Sequence, residues 1–203
     1  SITLFTFNIV ILRIAGNIGV AAYGIIANVA IIATALFTGL AQGIQPLVSN
    51  YYGKSDRNGL RTILKYSLFT AFSLEVMIYL IISIYSSHIV SVFNGQNNEV
   101  LATIAERGLI IYFTGFIFAG INIVLISFFS ATSNTAKAMA ISILRSSLFL
   151  IPVVLLFSFL FGINGVWVSF VITELGVTVL TYLTYANQLK GKKLINLSSM
   201  GNP

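Results

Sequence analysis

Long stretches without a single charged side chain dominate the pattern of polar and hydrophobic positions along this chain. Four such stretches run from Ile14 to Gly53, from Val76 to Asn98, from Gly108 to Ala136 and from Ser146 to Thr173. Each meets or exceeds the ~20 residues that an α-helix needs to cross a ~30 Å hydrocarbon core. The apolar runs are continuous, whereas the strands of a membrane β-barrel would alternate over ~10 residues. The pattern therefore predicts membrane-spanning helices.

Polar turns divide these stretches into six expected spans, of which the first is incomplete. We expect an all-α integral membrane protein, a six-helix transmembrane bundle with a truncated first helix. The expected spans are residues 1–14, 20–48, 61–86, 107–131, 138–160 and 165–187, followed by a polar tail over residues 190–203. Because the chain starts inside an apolar run, without an initiator Met or a basic n-region, we expect it to be a fragment of a longer protein.

Composition supports the membrane interpretation and excludes other classes. Charged residues make up 8% of the chain and apolar residues 57%, whereas soluble domains carry about 25% charged residues. The net charge of +6 does not indicate a nucleic-acid partner, because the basic residues lie at the ends of apolar runs. With no cysteine and one histidine, we predict no disulfide, metal site, cofactor or enzymatic activity.

The distribution of the eleven Lys and Arg residues predicts the orientation in the membrane. If the spans alternate, only Arg13 and Arg107 lie on one side. The nine on the other side are Lys54, Arg57, Arg61, Lys65, Lys137, Arg145, Lys190, Lys192 and Lys193. The positive-inside rule makes that side cytoplasmic. We expect a multi-pass protein of the plasma (cytoplasmic) membrane with both ends in the cytoplasm and an external loop over residues 87–106.

Two acidic residues fall within the expected spans and are the first candidates for a functional site. Glu75 lies about 15 Å beyond Lys65, and Glu174 lies about 13 Å beyond Gly165. An ionised carboxylate in the bilayer core costs at least ~2.5 kcal/mol, so each acid is a candidate proton or cation carrier. The alternative is a permanently neutral acid that is hydrogen-bonded to a neighbouring Ser, Thr or Asn.

Amide side chains within the spans are further candidates for a cation, proton or substrate cavity. They are Gln42, Gln45, Asn8 and Asn122. Such amides either line a polar cavity or hold helices together. We expect Arg145 to extend to the cytoplasmic interface and Trp167 to anchor the sixth span at the external interface.

Several segments resemble the MATE (multidrug and toxic compound extrusion) transporters. The most specific is Gly-Leu-Ala-Gln-Gly-Ile-Gln-Pro-Leu-Val-Ser at residues 39–49, preceded by Gly-Val-Ala-Ala-Tyr-Gly-Ile-Ile-Ala-Asn at residues 19–28. Phe-Gly-Ile-Asn-Gly-Val-Trp at residues 161–167 and the helix of Glu174 are also similar. The resemblance covers nearly the whole chain and corresponds to the seventh to twelfth helices of the family.

The resemblance implies that this chain is the second of two pseudo-symmetric six-helix lobes. It implies antiport, in which a cationic or amphipathic organic compound leaves as Na⁺ or H⁺ enters, and it implies partnership with the missing N-terminal lobe and with lipid. Glu174 matches an acid common in one branch of the family, with Val171 where a proline is frequent. Asn122 stands where some members carry an acid, and Glu75 matches no family motif.

Three alternatives remain open from the sequence. A lipid-linked oligosaccharide flippase of the same superfamily would need basic residues inside the cavity, and we expect no mid-span Lys or Arg. A non-transporting truncated remnant, or a subunit paired with a separate first lobe, is the second alternative. An intramembrane enzyme is the least favoured, because catalytic groups are missing.

Overall fold

The structure is a computed structural model that describes the backbone of residues 2–199 and the side chains of residues 4–183. Within that part, the regular secondary structure is helical throughout. The helix Ile2–Gly53 is broken at Gly16 into α1 (2–15) and α2 (17–53). It is followed by α3 (Arg57–Phe93), α4 (Glu99–Thr114), α5 (Phe116–Ala131) and α6 (Thr135–Ile143). A π-helical turn, Leu144–Leu148, leads into Leu150–Ser199, which Gly162 divides into α7 (150–161) and α8 (163–199).

The two breaks are reversals of the chain at glycine. Gly16 has φ 60° and ψ −158°, and Gly162 has φ 59° and ψ −138°; a side chain at either would be strained. The rings of Phe7 and Tyr23 stack at 5.3 Å, although a straight helix would hold them about 24 Å apart. A Cβ at Gly165 would collide with the carbonyl oxygen of Phe157. Each long helix is therefore a tight helical hairpin.

Three helices of the described part are long and apolar enough to cross a membrane, and a fourth crossing results if α4 and α5 form one bent span. The bend between α4 and α5 is 45°. Because two of the three long helices fold back at Gly16 and Gly162, we count six membrane segments: α1, α2, α3, α4–α5, α6–α7 and α8. This helical membrane fold is the class predicted from the sequence.

The helix ends differ from the expected span limits. The external loop expected at residues 87–106 is mostly helical, because α3 continues to Phe93 and α4 begins at Glu99. The connection is only residues 94–98, where Asn98 caps α4 by accepting a hydrogen bond from the backbone N–H of Leu101. Polar residues in this stretch do not end the helices, since the helices extend beyond the hydrocarbon thickness. The expected tail likewise begins as helix, up to Ser199, and residues 200–203 lie outside the described part.

Aromatic packing forms the middle of the bundle. Trp167 is fully buried and its ring lies 6.1 Å from that of Tyr23. The expectation that Trp167 anchors the protein at the membrane interface is therefore wrong. Gly108 explains the difference, because a Cβ there would lie 3.1 Å from the indole nitrogen. The missing side chain on α4 leaves room for the indole inside the bundle.

Candidate functional site

A groove of about 600 Å³ runs along α2. Its walls combine aromatic, aliphatic, hydroxyl and amide side chains from α1, α2 and α4. They are Leu4, Tyr23, Ala27, Ala30, Ile31, Thr34, Ala35, Thr38, Gly39, Gln42 and Tyr112. The α2 members recur every three or four residues, so they form one face of that helix. Small residues on this face leave the space that the groove occupies.

Tyr112 connects the groove to a buried polar cluster. Its ring stacks on Phe170 at 4.1 Å between centroids and 11° between planes. Phe170 lies one helical turn before Glu174 on α8, and residues four apart share a helix face. The groove and the surroundings of Glu174 are therefore joined by stacked aromatic rings.

The buried polar cluster is centred on the carboxylate of Glu174, which is 3% exposed. Arg145 donates to Oε1 from Nη2 at 2.7 Å and from Nε at 3.1 Å. Asn122 donates from Nδ2 to Oε2 at 2.7 Å and lies 3.1 Å from the backbone carbonyl of Glu174. Thr178 lies 3.1 Å from Asn122 Oδ1 and 2.9 Å from the Glu174 carbonyl, and its hydroxyl donates to one or the other. Both carboxylate oxygens thus have charged or amide donors.

The π-helical turn positions Arg145 for this contact. The turn Leu144–Leu148 contains the arginine and lies between α6 and α7. A π-turn adds a residue to the helix and changes the direction in which its side chains project. Arg145 lies ten residues beyond Thr135, about 15 Å along the helix, and its side chain is 20% exposed. The expectations that Arg145 extends to the cytoplasmic interface and that no mid-span basic residue exists are both wrong.

The candidate residues identified from the sequence fall into three places. Glu174 and Asn122 meet in the buried cluster, and Gln42 lines the groove. Gln45 and Asn8 are exposed and lie outside both. Glu75 is a separate case.

Glu75 is fully buried on α3. Neither of its carboxylate oxygens has a hydrogen-bond partner. The alternative of a neutral acid hydrogen-bonded to a neighbouring Ser, Thr or Asn is not found for Glu75 among the described residues.

Sequence reasoning missed Arg145 and Thr178 as partners of Glu174. A signal for the arginine is the turn at Gly162, which Arg145 precedes by 17 residues and Glu174 follows by 12. The difference of five residues corresponds to about 7.5 Å along the helices, a distance that the long arginine side chain can bridge. The π-turn, which rotates Arg145 toward α8, has no recognisable sequence signal.

Comparison with solved structures supports the fold. The chain superposes on an outward-facing and on an inward-facing multidrug resistance MATE family transporter of the MOP superfamily, each with a TM-score of 0.87 and 18% identity. The alignments cover 95% of this chain and 43% and 44% of the two transporters. A transporter of the MOP superfamily from Pyrococcus furiosus gives a TM-score of 0.85, at 18% identity and with coverage of 95% and 43%. The fold is that of a MATE lobe.

Sequence comparison identifies the family. The multidrug export protein MepA of Staphylococcus saprophyticus is 25% identical over 159 residues, which cover 78% of this chain and 34% of MepA. MepA of Staphylococcus aureus strain RF122 is 24% identical with the same coverage. The profile of the MatE family matches residues 1–156. The chain belongs to the MatE family of membrane transporters, and it spans about a third of the length of the curated relatives it matches.

Proposed function

We propose that this chain is the C-terminal lobe of a secondary active multidrug efflux antiporter. It exports cationic or amphipathic organic compounds in exchange for Na⁺ or H⁺. The observation that carries this proposal is the groove along α2, whose volume of about 600 Å³ lies within the range of drug-sized sites. Its aromatic and aliphatic walls suit the apolar part of an amphipathic compound, and Thr34, Thr38 and Gln42 offer polar contacts.

The arrangement of charge favours an antiporter over a lipid-linked oligosaccharide flippase. A flippase cavity needs cationic side chains that are free to bind phosphate. Arg145 does lie at mid-span, but its Nε and Nη2 atoms both bind Glu174. The groove itself has no Lys or Arg in its wall. This part of the chain therefore offers amphipathic compounds an uncharged surface.

The groove also supports partnership with a second lobe. Thr34, Thr38 and Gln42 are exposed on α2 in this chain, and a polar face of a membrane helix needs a polar or aqueous partner. We propose that the N-terminal six-helix lobe covers it. The 203-residue chain alone should give no drug resistance, whereas coexpression with a first lobe should. Efflux by the chain alone would contradict this and would also remove the remnant alternative.

Filling the groove tests the proposed function. In the full-length transporter, Thr38→Trp places a large side chain in the groove and should reduce ethidium efflux from cells at least tenfold. The matched control is Leu36→Trp, because Leu36 is exposed on the same helix, about 200° away from Thr38. Equal efflux by the two variants at equal expression would show that the groove is not the transport path.

The proposed orientation has an independent test. Asn58 and Gln96 are exposed and lie at opposite ends of α3 or beyond it. Because the chain has no native cysteine, Asn58→Cys and Gln96→Cys are labelled without background. An impermeant thiol reagent should label only Gln96→Cys in intact cells. Labelling of Asn58→Cys from outside would reverse the proposed topology.

A further inference from the structure

Glu75 lies on the face of α3 that is turned toward the other helices. The buried residues of α3 include Ser67, Ala71, Glu75, Ile82, Ser86 and Val90, which form one stripe. Glu75 is 0% exposed in the middle of that stripe. The helices packed on α3 are Ile2–Gly53, α4 and α5. The carboxyl group is therefore inside the lobe and not in the lipid.

Among the described residues, no charged group pairs with Glu75. α2 and α5 contain no Asp, Glu, Lys or Arg, and the single charged residue of α1 is the exposed Arg13, three residues before the reversal at Gly16. On α3 itself, Lys65 lies about 15 Å from Glu75 along the helix. The charged residues of α4 are Glu99, Glu106 and Arg107. In the α3–α4 hairpin these three lie opposite residues near the end of α3, at least about 15 Å along the helix from Glu75. An ionised carboxylate in such surroundings costs several kcal/mol, and the neutral acid costs much less. Glu75 is stable here only in its protonated form.

The surroundings also distinguish a proton from a metal cation. A hard cation needs several oxygen ligands at once. Both oxygens of Glu75 have no polar partner, and the described residues contain no group of three or more His, Cys, Asp or Glu that could hold a metal. The surroundings of Glu75 therefore favour H⁺ over Na⁺.

We propose that Glu75 is a proton-binding site of this lobe. Its carboxyl group carries a proton in the conformation described here and releases it to water when α3 separates from the helices packed against it. This inference rests on the proposed antiport and specifies H⁺ as the coupling ion. Glu174, whose two oxygens already accept hydrogen bonds from Arg145 and Asn122, does not take this role.

Infrared spectroscopy of the purified full-length transporter tests the protonation directly and needs no transported compound. The wild type should show a carbonyl band of a protonated carboxyl group that is lost in Glu75→Gln. The band should be retained in Glu99→Gln, whose carboxyl group is exposed in the wild type. The same band in the wild type and in Glu75→Gln would overturn the proposal.

Proton release on ligand binding tests whether Glu75 exchanges its proton. Ethidium added to the wild type in weakly buffered detergent solution should release about one proton per transporter. Glu75→Gln should release none, and Glu75→Asp, which keeps the acid, should restore release. Ethidium binding with unchanged proton release in Glu75→Gln would overturn the proposal, as would a wild type that binds ethidium without releasing a proton.

Transport separates this inference from the proposed function. In proteoliposomes, Glu75→Gln should lose at least tenfold of the ethidium transport driven by a pH gradient but still equilibrate ethidium down its own gradient. Glu99→Gln should match the wild type in both. A wild type that transports no ethidium would contradict the proposed function, while the infrared result on Glu75 would still stand. Undiminished pH-driven transport by Glu75→Gln would overturn the proton site.

Discussion

Glu174 and Glu75 are both buried well inside membrane helices, but Glu174 has several polar contacts and Glu75 has none among the described residues. Glu174 accepts hydrogen bonds from Arg145 and Asn122, and these contacts tie α8 to the π-turn and to α5. Glu75 has no hydrogen-bond partner among the described residues. The contacts of Glu174 fix this residue within the lobe, and the proton-binding role that we propose falls to Glu75.

The comparison also separates the helices that the Glu174 cluster ties together from α3, which carries Glu75. The cluster of Glu174, Arg145, Asn122 and Thr178 links three parts of the lobe by side-chain contacts. We infer that this cluster keeps α5, α8 and the π-turn in a fixed arrangement and does not restrain α3. Each variant is made in the full-length transporter, purified in detergent and unfolded with denaturant.

The largest effect is expected for Arg145→Leu. The variant removes the charge partner of Glu174 and leaves a buried carboxylate, which typically costs 3–5 kcal/mol in a folded protein. The unfolding free energy should fall by about that amount. Arg145→Leu combined with Glu174→Leu should recover part of the loss, because no buried charge remains. The control Arg107→Leu, at an exposed position on α4, should change stability by less than about 0.5 kcal/mol. Equal losses for the Arg145 and Arg107 variants would contradict a structural ion pair.

A smaller loss is expected for Asn122→Ala, which removes the donor to Glu174 Oε2. Hydrogen bonds to charged groups contribute about 1.5–3 kcal/mol, and the unfolding free energy should decrease within that range. Asn28→Ala is the matched control, since Asn28 is exposed and donates only to the Gly24 carbonyl of its own helix. If both alanine variants are equally stable, Asn122 does not support the cluster.

A loss of about 0.6 kcal/mol, typical of a hydrogen bond between membrane helices, is expected for Thr178→Val. The Thr178 hydroxyl lies near Asn122 Oδ1 and near the backbone carbonyl of Glu174, and it does not contact the carboxylate. Thr103→Val serves for comparison, because Thr103 is exposed and donates to the Glu99 carbonyl within its helix. A loss for Thr178→Val as large as that for Arg145→Leu would mean that the hydroxyl, and not the ion pair, dominates the cluster.

Glu75→Met should have the smallest effect and the opposite sign. Methionine has a similar size and removes a polar group that has no partner, so the change should be neutral or stabilising. The unfolding free energy should be unchanged or higher, although proton coupling is lost. A decrease of more than about 2 kcal/mol would show that the Glu75 carboxyl group has a structural partner. It would contradict the proposed difference between Glu75 and Glu174.

The amino-acid sequence by itself indicates that this protein lies in a lipid bilayer, and it predicts six membrane segments. Lipid requires that the backbone hydrogen bonds be satisfied internally, and long, continuous charge-free runs favour helices over the strands of a β-barrel. Gly16 and Gly162, at which the chain reverses, lie within the turns expected from the sequence. The sequence also contains the two acids at depth and the residues that resemble the MATE family.

Only the tertiary structure decides what each acid contacts. Arg145 is 29 residues from Glu174 along the chain, and the contact depends on the hairpin at Gly162 and on the π-turn that rotates the arginine inward. Among the described residues, Glu75 lacks a partner because the surfaces of α2, α4 and α5 that face it place no hydrogen-bonding group within reach. Sequence spacing does not predict which residues those surfaces contain. Trp167 is buried because Gly108, on another helix, leaves room for it. Depth in the membrane follows from counting residues, whereas partners follow from how helices rotate and pack against each other.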